Sequence, residues 1–247
     1  EEFINVLACC RKNNLPFYVM GNGTNLLVRD NGYRGVMIKT RQLCRITVGD
    51  TGISAEPGSL LKDVAQAALE GCLTGMEFAS GIPGSLGGAV VMNAGAYDGE
   101  MKDIIRSIEV VTESGEILEL PIDECRMGYR KSIVQENPWF VIGVNLLLRK
   151  GDYNTIKAKM DDLNERRRSK QPLEYPSAGS TFRRPEGYFA GKLVQDCGFK
   201  GYCVGGAQVS EKHSGFVINK DNATADDIIT LIQTIQNRTT VWICAPK

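Results

Sequence analysis

The residues best suited to chemistry lie in a glycine-rich stretch, residues 81–95. It opens Gly-Ile-Pro-Gly-Ser-Leu-Gly-Gly, so four glycines surround one proline, and Asn-Ala-Gly closes it at 93–95. Glycine leaves the backbone bare and reaches positive φ at low cost, so successive N–H groups can turn toward one anion. A tight turn between two core elements is the alternative, but ordering four glycines costs enough entropy to favour a site that a ligand compensates.

A second candidate loop, Gly21-Asn-Gly-Thr-Asn25, follows a short apolar segment. It begins like the Gly-x-Gly of a dinucleotide-binding fingerprint, but Leu26 stands where the third glycine belongs. Residues 26–28 predict a strand, so the helix N-terminus that would hold a pyrophosphate is missing, and no Gly-Lys-Ser/Thr of a P-loop occurs. The remaining functional interpretation is a strand–loop–strand cradle of N–H groups with Thr24 and Asn25; an ordinary hairpin turn is the alternative.

Composition narrows the class of protein. The 247 residues suffice for two domains, and 29 basic against 29 acidic residues give no support to a nucleic-acid partner. No apolar run approaches the roughly 20 residues that cross a bilayer. The eight cysteines form no Cys-x-x-Cys pair and only one histidine is present, so we expect no metal site and reduced thiols in a cytoplasmic protein.

The elements that must position these loops follow from apolar periodicity and turn signals. A hairpin is expected where residues 104–112 and 116–120 meet through Glu-Ser-Gly, and the charged helix 152–171 is the best candidate for a domain boundary. Its basic run, 166–168, is expected to be a solvated face, and phosphate binding is the alternative. Ser59 and Thr224 are the predicted N-caps of two helices. Helices are predicted over 2–14, 59–70, 152–171, 188–197 and 225–238, and further strands over 17–20, 36–38, 42–48, 52–56, 139–148, 207–210 and 216–219.

Taken together, these stretches resemble the UDP-N-acetylenolpyruvoylglucosamine reductase (MurB) family. The resemblance covers roughly residues 16–238, and its short link at 173–177 is similar to the type II branch. Any one motif is weak, whereas five in the family's order are specific. The five are Gly21-Asn-Gly-Thr-Asn-Leu-Leu-Val-Arg-Asp30, Gly81-Ile-Pro-Gly-Ser-Leu-Gly-Gly88 with Asn93-Ala-Gly95, Tyr129-Arg-Lys-Ser132, Ser177-Ala-Gly-Ser-Thr-Phe182 and Ser210-Glu-Lys-His-Ser-Gly-Phe216.

The resemblance implies an α+β fold. An FAD-binding domain of the vanillyl-alcohol-oxidase (PCMH) type would occupy residues 1–150, built from two α+β lobes at about 1–56 and 57–150. A smaller α+β substrate-binding domain would occupy residues 151–247.

The resemblance also implies the cofactor, a non-covalent FAD between the lobes, with NADPH as hydride donor. The enolpyruvyl ether of UDP-N-acetylglucosamine would be reduced to UDP-N-acetylmuramate for peptidoglycan precursors. The expected FAD-binding residues are Gly21, Asn22, Gly23, Thr24, Asn25, Leu26, Gly81, Ile82, Pro83, Gly84, Gly87, Gly88, Ala89, Asn93, Ala94 and Gly95.

Two residues carry the catalytic roles that the resemblance implies. Arg130 matches the stabiliser of the developing enolate, since a guanidinium is always cationic and grips a carboxylate with two donors. Ser180 matches the proton donor. No metal, nucleic acid or membrane is implied, and a cytoplasmic monomer is expected. The softer substrate-binding matches are Tyr175, Arg184, Lys192, Lys200, Gln208 and His213.

The sequence departs from the family in three places. Residues 240–247 lack the glutamate of the family's C-terminal catalytic segment, the N-terminal Thr-Phe segment is absent, and Arg184 stands where many members have asparagine. These departures suggest a truncated or altered chain, and hence the alternative of a non-catalytic or impaired FAD-binding protein. Another flavin oxidase of the same fold is the third alternative, disfavoured because neither loop contains the His or Cys that often tethers the flavin.

Overall fold

The computed structural model describes residues 1–239, which fold into two compact units. The first unit comprises Glu1–Gly23 and Arg34–Glu165, and the second comprises Thr24–Tyr33 and the chain from Arg166 onward. The short segment 24–33 thus groups with the C-terminal part of the chain. The division into domains at residue 150 stays a prediction.

The first unit contains three α-helices and most of a fourth, whose last residues, 166–170, belong to the second unit. In α2, Leu61, Val64, Ala65, Ala68 and Leu69 are all buried, which is the i, i+3, i+4 spacing of a helix with one apolar face. The four are α1 (Glu2–Lys12), α2 (Leu61–Glu70), α3 (Leu86–Val91) and α4 (Tyr153–Lys170).

A five-stranded antiparallel sheet in the order β3-β4-β10-β8-β9 organises this unit. Two strands, β1 and β2, form a separate parallel pair, and β5-β11 and β6-β7 form small antiparallel pairs. The strands are β1 (Phe17–Met20), β2 (Val36–Lys39), β3 (Ile46–Val48), β4 (Gly52–Ala55), β5 (Leu73–Thr74), β6 (Gly95–Ala96), β7 (Gly99–Glu100), β8 (Ile105–Val111), β9 (Ile117–Pro121), β10 (Phe140–Leu147) and β11 (Arg149–Lys150).

The main core of the first unit lies between the buried faces of α2 and α3 and the central strands of the sheet. Its fully buried members include Leu61, Leu86, Met101 and Ile108. A smaller cluster joins α1 to the start of β10, where Phe3 and Phe140 meet edge to face at 6.3 Å. Burying these apolar surfaces is the dominant stabilising term for the unit.

The second unit is a four-stranded antiparallel sheet in the order β12-β15-β14-β13 with two helices. Phe182, Phe199 and Leu231 are fully buried in its own core. Thr224 caps the last helix through a reciprocal capping box with Asp227. The elements are β12 (Ser177–Ser180), β13 (Cys203–Val204), β14 (Ala207–Val209), β15 (Phe216–Asn219), α5 (Ala190–Asp196) and α6 (Ala225–Arg238).

These elements confirm the α+β class, the β8–β9 hairpin, the charged helix α4 and the Thr224 cap. Three predictions were wrong. The strand expected over 42–48 begins only at Ile46, because Thr40–Gln42 forms a 3-10 turn in which the Leu43 N–H donates to Thr40 O. No strand forms at 26–28, where the chain takes an irregular course and Asp30 accepts the Ala225 N–H of α6. Ser59 is not an N-cap: α2 begins at Leu61, whose N–H donates to the Gly84 carbonyl instead.

No helix within residues 1–239 combines the length and apolarity needed to cross a membrane.

Candidate functional site

The two glycine loops meet within the first unit. The Asn22 Nδ2 donates to the Pro83 carbonyl at 2.8 Å. A Cβ built on Gly21 would lie 1.9 Å from the Ser85 Oγ, so only glycine permits this approach. Loops 60 residues apart in sequence therefore form one continuous backbone surface.

The second loop is fixed from behind by the segment that precedes α2. The Leu86 N–H donates to Ser59 O at 2.8 Å, and the Gly87 N–H donates to Pro57 O at 2.8 Å. A Cβ on Gly87 would lie 2.7 Å from the Pro57 Cβ. Gly87 thus allows close packing of α3, and its N–H is committed inside the protein rather than offered to a ligand.

A cavity of about 370 Å³ opens where these loops join. Its lining brings two cations, Arg41 and Lys62, to the bare backbone of Gly81 and Gly84. The sequence analysis missed both cations, because neither belongs to a glycine motif and the pairing of loops that brings them together is not local in sequence. The cavity is lined by Asn22, Arg41, Leu60, Lys62, Ser80, Gly81, Ile82, Pro83 and Gly84.

This donor set suits a diphosphate group. Cationic side chains and exposed peptide backbone attract phosphate oxygens. The Ser59 and Ser85 hydroxyls are buried and have no hydrogen-bond partner in the described part of the chain. The residues present therefore fit the diphosphate of a dinucleotide cofactor such as FAD.

The stretch that ends the glycine-rich segment is held by Asn93, which is only 1% exposed and has a φ of +39°. Its Nδ2 donates to Glu100 Oε2 at 2.8 Å and to Gly128 O at 3.0 Å. Its Oδ1 accepts the Lys102 N–H at 2.9 Å. A Cβ on Gly95 would lie 2.7 Å from Gly99 O, so β6 and β7 pack too closely there for any side chain.

Arg130 lies on a tight turn against this stretch. Gly128 and Lys131 exchange two backbone hydrogen bonds around it, and Arg130 has a φ of +56°, a conformation that favours glycine. Such backbone costs about 1–3 kcal/mol and concentrates at functional sites. The guanidinium donates to Asn93 O at 3.2 Å and Gly95 O at 3.3 Å.

The first glycine loop is divided between the two units. Gly21, Asn22 and Gly23 belong to the first unit, whereas Thr24, Asn25 and Leu26 belong to the second. The expected role of the latter three in FAD binding stays a prediction.

In the second unit, Ser180 lies at the end of β12, opposite Phe216 of β15, with its side chain exposed. His213 meets the Phe216 ring edge to face at 5.0 Å, and its Nδ1 accepts the Gly215 N–H at 3.1 Å. Burial lowers the pKa of the His213 imidazole. The structure thus places the Ser180 hydroxyl and the His213 imidazole on adjoining segments.

Of the six residues predicted to bind substrate, Tyr175 has a charged partner that the sequence analysis missed. The Lys220 Nζ donates to the Tyr175 Oη at 2.8 Å and lies over its ring. The hydrogen bond to Tyr175 raises the pKa of the Lys220 ammonium. No motif marks Lys220, because its proximity to Tyr175 depends on the pairing of β12 with β15.

The other predicted substrate residues make local contacts. The Arg184 guanidinium lies 4.2 Å from the centroid of the Phe189 ring, and Lys192 pairs with Asp196 one turn along α5. Gln208 donates to Gly201 O at 3.1 Å, and Lys200 is exposed. None of these contacts by itself defines a substrate.

Two known protein families match this chain, and together they define its class. Residues 1–121 match the FAD-binding domain family, and residues 171–241 match the C-terminal domain of UDP-N-acetylenolpyruvoylglucosamine reductase. An FAD-binding domain followed by that domain defines an FAD-dependent oxidoreductase.

Individual relatives narrow the class to one family. The chain is 56% identical over 236 residues to UDP-N-acetylenolpyruvoylglucosamine reductase of Clostridium perfringens, covering 96% of this chain and 78% of that protein. It is 55% identical to the enzyme of the same name from Caldanaerobacter subterraneus, with the same coverage. The crystal structure of the Thermus caldophilus reductase matches with a TM-score of 0.84 at 33% identity, covering 96% of this chain and 87% of that one. The chain belongs to the UDP-N-acetylenolpyruvoylglucosamine reductase family.

Membership of this family does not favour the two alternatives, another flavin oxidase or a non-catalytic flavin-binding protein. Residues 240–247, on which the second alternative depended, lie outside the described residues. The family assignment depends instead on the two matched domains and on the length of the aligned chain.

Proposed function

We propose that this chain reduces the enolpyruvyl ether of UDP-N-acetylglucosamine to UDP-N-acetylmuramate, with NADPH as hydride donor and FAD as carrier. One observation carries the proposal: Arg130, a permanent cation, is held in a strained turn against the glycine-rich segment of an FAD-binding unit. A cation that is fixed in place before the reaction is suited to stabilising charge that develops in the transition state.

The first unit would hold the cofactor by its bare backbone and its two cations. Arg41 and Lys62 would face the diphosphate, and Gly81 and Gly84 would let it approach the main chain. Bound FAD supplies the ability to accept a hydride from NADPH and to donate it to the substrate. The protein supplies orientation, charge and a proton.

Arg130 would stabilise the charge that develops on the substrate. Hydride addition to the β-carbon of the enolpyruvyl group leaves negative charge on the α-carbon and its carboxylate. Two parallel guanidinium donors fit a carboxylate, and the Asn93 and Gly95 carbonyls orient the guanidinium before substrate arrives. The guanidinium is thereby ordered when the protein folds, so the reaction itself does not have to order it.

Ser180 would deliver the proton to the α-carbon. Its hydroxyl is exposed at the end of β12, so it is accessible to a ligand of the second unit. The proton returns to Ser180 from solvent, which keeps the balance at one hydride and one proton for each double bond reduced. Tyr175, Arg184, Lys192, Lys200, Gln208 and His213 would contact the UDP-sugar.

We also propose that the enzyme acts in the cytoplasm as a monomer, free of nucleic acid and membrane. The seven cysteines in the described part of the chain are all free thiols, which suits a reducing compartment. Cys244 lies outside the described residues. The balance of 29 basic and 29 acidic residues offers no general attraction to nucleic acid.

Steady-state turnover tests the proposed activity. The FAD-loaded protein is mixed with NADPH and the enolpyruvyl sugar without oxygen, and the mass of the product is measured by mass spectrometry. One UDP-N-acetylmuramate, heavier than substrate by two hydrogens, is expected for each NADPH consumed. NADPH consumption that requires oxygen and forms peroxide would show an oxidase instead.

A further inference from the structure

We propose that Asn93 is a positioning residue for Arg130, acting from both its side chain and its main chain on the turn that carries the guanidinium. This inference rests on the proposed role of Arg130. It assigns to the Asn93 side chain a role other than contact with FAD.

The Asn93 side chain has no hydrogen left for a ligand. Both hydrogens of its Nδ2 are used, one by Glu100 Oε2 and one by Gly128 O, and its Oδ1 accepts the Lys102 N–H. The residue is 1% exposed, so a cofactor has no access to it. Its side chain therefore serves the protein itself.

Asn93 forms hydrogen bonds to the Arg130 turn at two positions, Gly128 and Arg130. The side chain holds the carbonyl of Gly128, the first residue of the turn. The main-chain carbonyl receives the Arg130 Nη1 at 3.2 Å. One residue thus fixes where the turn begins and where its guanidinium points.

Other hydrogen bonds near the Arg130 turn are made by Ser132 and Gln135. Ser132 Oγ and Gln135 Nε2 both donate to Val91 O, which ties the chain beyond the turn to the end of α3. Gln135 Nε2 also donates to the Arg130 carbonyl at 3.3 Å and so holds the main chain of the turn, whereas Asn93 bonds both the Gly128 carbonyl and the Arg130 guanidinium. Losing the Gly128 bond should free the turn while the rest of the fold stays in place.

A paired substitution removes this bond and leaves Asn93 a partner at Glu100 and at Lys102. In Glu100→Gln, the new amide oxygen still accepts from Asn93. Adding Asn93→Asp reverses that bond, because the Glu100→Gln amide then donates to the new carboxylate. The second carboxylate oxygen keeps the Lys102 N–H, and aspartate tolerates positive φ. The donor to Gly128 O is thereby replaced by a carboxylate oxygen, which can only accept. Asn93→Asp/Glu100→Gln is compared with Glu100→Gln, because both lack the ion pair of Glu100 with Lys102.

The two half-reactions distinguish positioning from a general structural role. In the FAD-loaded double variant, reoxidation of reduced FAD by saturating enolpyruvyl sugar should fall about tenfold to a hundredfold, whereas its reduction by NADPH should not change. In an Arg130→Ala background the Asn93→Asp step should add nothing. Equal losses in both half-reactions, or a further loss without Arg130, would overturn the inference.

Asn145→Ala is the control, since it removes a partly buried asparagine hydrogen bond elsewhere in the same unit, to Ser107 Oγ at 3.0 Å. It should lower the melting temperature and leave both half-reactions unchanged. If Arg130→Ala itself leaves reoxidation unchanged, the proposed role of Arg130 in the reaction is wrong, and the role of Asn93 in holding the turn is not affected by that result.

Trypsin cleavage tests whether Asn93 holds the Arg130 turn, without any flavin being bound. Cleavage of the apoprotein after Arg130, identified by mass spectrometry, should be faster in Asn93→Asp/Glu100→Gln than in Glu100→Gln. Equal cleavage rates would show that the turn is held without Asn93 and would overturn the inference.

Discussion

Arg130 and Ser180, the two residues proposed to act on the substrate, stand on backbones that are fixed to very different degrees. Arg130 lies in a turn closed by two backbone bonds, with its guanidinium held by two carbonyls. Ser180 lies where the register of β12 against β15 shifts, and its side chain is exposed. A group that stabilises charge gains from being fixed in advance, whereas a group that exchanges a proton with solvent needs access.

The largest effect that sharpens this comparison is expected at Ser180. Ser180→Ala removes the proton donor while leaving a site that still binds both substrates. Turnover should fall about 10²- to 10⁴-fold, the usual contribution of general acid catalysis. Rapid-mixing absorbance should show unchanged NADPH-driven reduction of FAD. Turnover close to that of the unmodified chain would remove Ser180 from the chemistry.

Arg130→Ala should have the next largest effect. Removing a hydrogen-bond donor to a developing oxyanion typically lowers the catalytic rate constant about 10²- to 10³-fold. The loss should fall on reoxidation of FAD by the enolpyruvyl sugar, measured by stopped-flow absorbance. Arg130→Lys keeps the charge but not the fork of donors, so it should recover only part of the rate. Full recovery by lysine would show that charge alone matters.

Glu77 extends the comparison to stability, because it supports the glycine loop of the first unit. Its carboxylate is 2% exposed and accepts from Thr74 Oγ1 and from the Gly75 N–H, with Lys159 at 3.9 Å. Burial would raise the pKa of the Glu77 carboxyl, but the bonds from Thr74 and Gly75 and the charge of Lys159 lower it below its usual 4.5. Glu77→Gln should reduce the free energy of unfolding by about 1–3 kcal/mol at neutral pH.

The sign of the pH dependence follows from that lowered pKa. The Glu77 carboxylate stabilises the fold fully above pH 4.5, and the stabilisation is lost as pH falls through the folded-state value. Urea unfolding should therefore show the difference between the unmodified chain and Glu77→Gln shrinking below pH 4.5. A difference that grows on acidification would contradict the lowered pKa.

Asp30 should give the smallest effect, in the second unit. Both of its carboxylate oxygens accept the Ala225 N–H at the start of α6, at 3.1 and 3.0 Å. The Thr224 capping box already satisfies part of this helix end, so Asp30→Ala should lower the melting temperature by the equivalent of about 0.5–2 kcal/mol. Thr224→Ala is the matched comparison. An unchanged melting temperature for Asp30→Ala would show that segment 24–33 is held by other contacts.

The sequence predicted the elements whose signals are local. Thr224 precedes Asp227 at capping-box spacing, so the start of α6 could be placed to the residue. Ser59 is also a residue type that favours an N-cap, but it does not cap α2, because the Leu61 N–H donates to Gly84 and the Ser59 hydroxyl is buried. The strand expected at 26–28 failed for a similar reason, since Asp30 ties that segment to a helix nearly 200 residues later.

The candidate site divides in the same way. The glycine stretches are visible in the sequence because four glycines in eight residues are unusual, whereas Arg130 was predicted only by the resemblance to the family. The bond between Asn22 and Pro83, the cations Arg41 and Lys62, and the Lys220 contact to Tyr175 all depend on pairing across the fold. No local pattern encodes such contacts.

A single-turnover experiment tests the central claim, that Arg130 acts on the substrate and not on the cofactor. FAD bound to the unmodified chain and to Arg130→Ala is bleached anaerobically with one equivalent of NADPH, and the enolpyruvyl sugar is then added. The account predicts equal bleaching in both proteins, with return of the yellow absorbance fast in the unmodified chain and about 10²- to 10³-fold slower in the variant. Equal rates of return, or bleaching that is itself slowed, would contradict it.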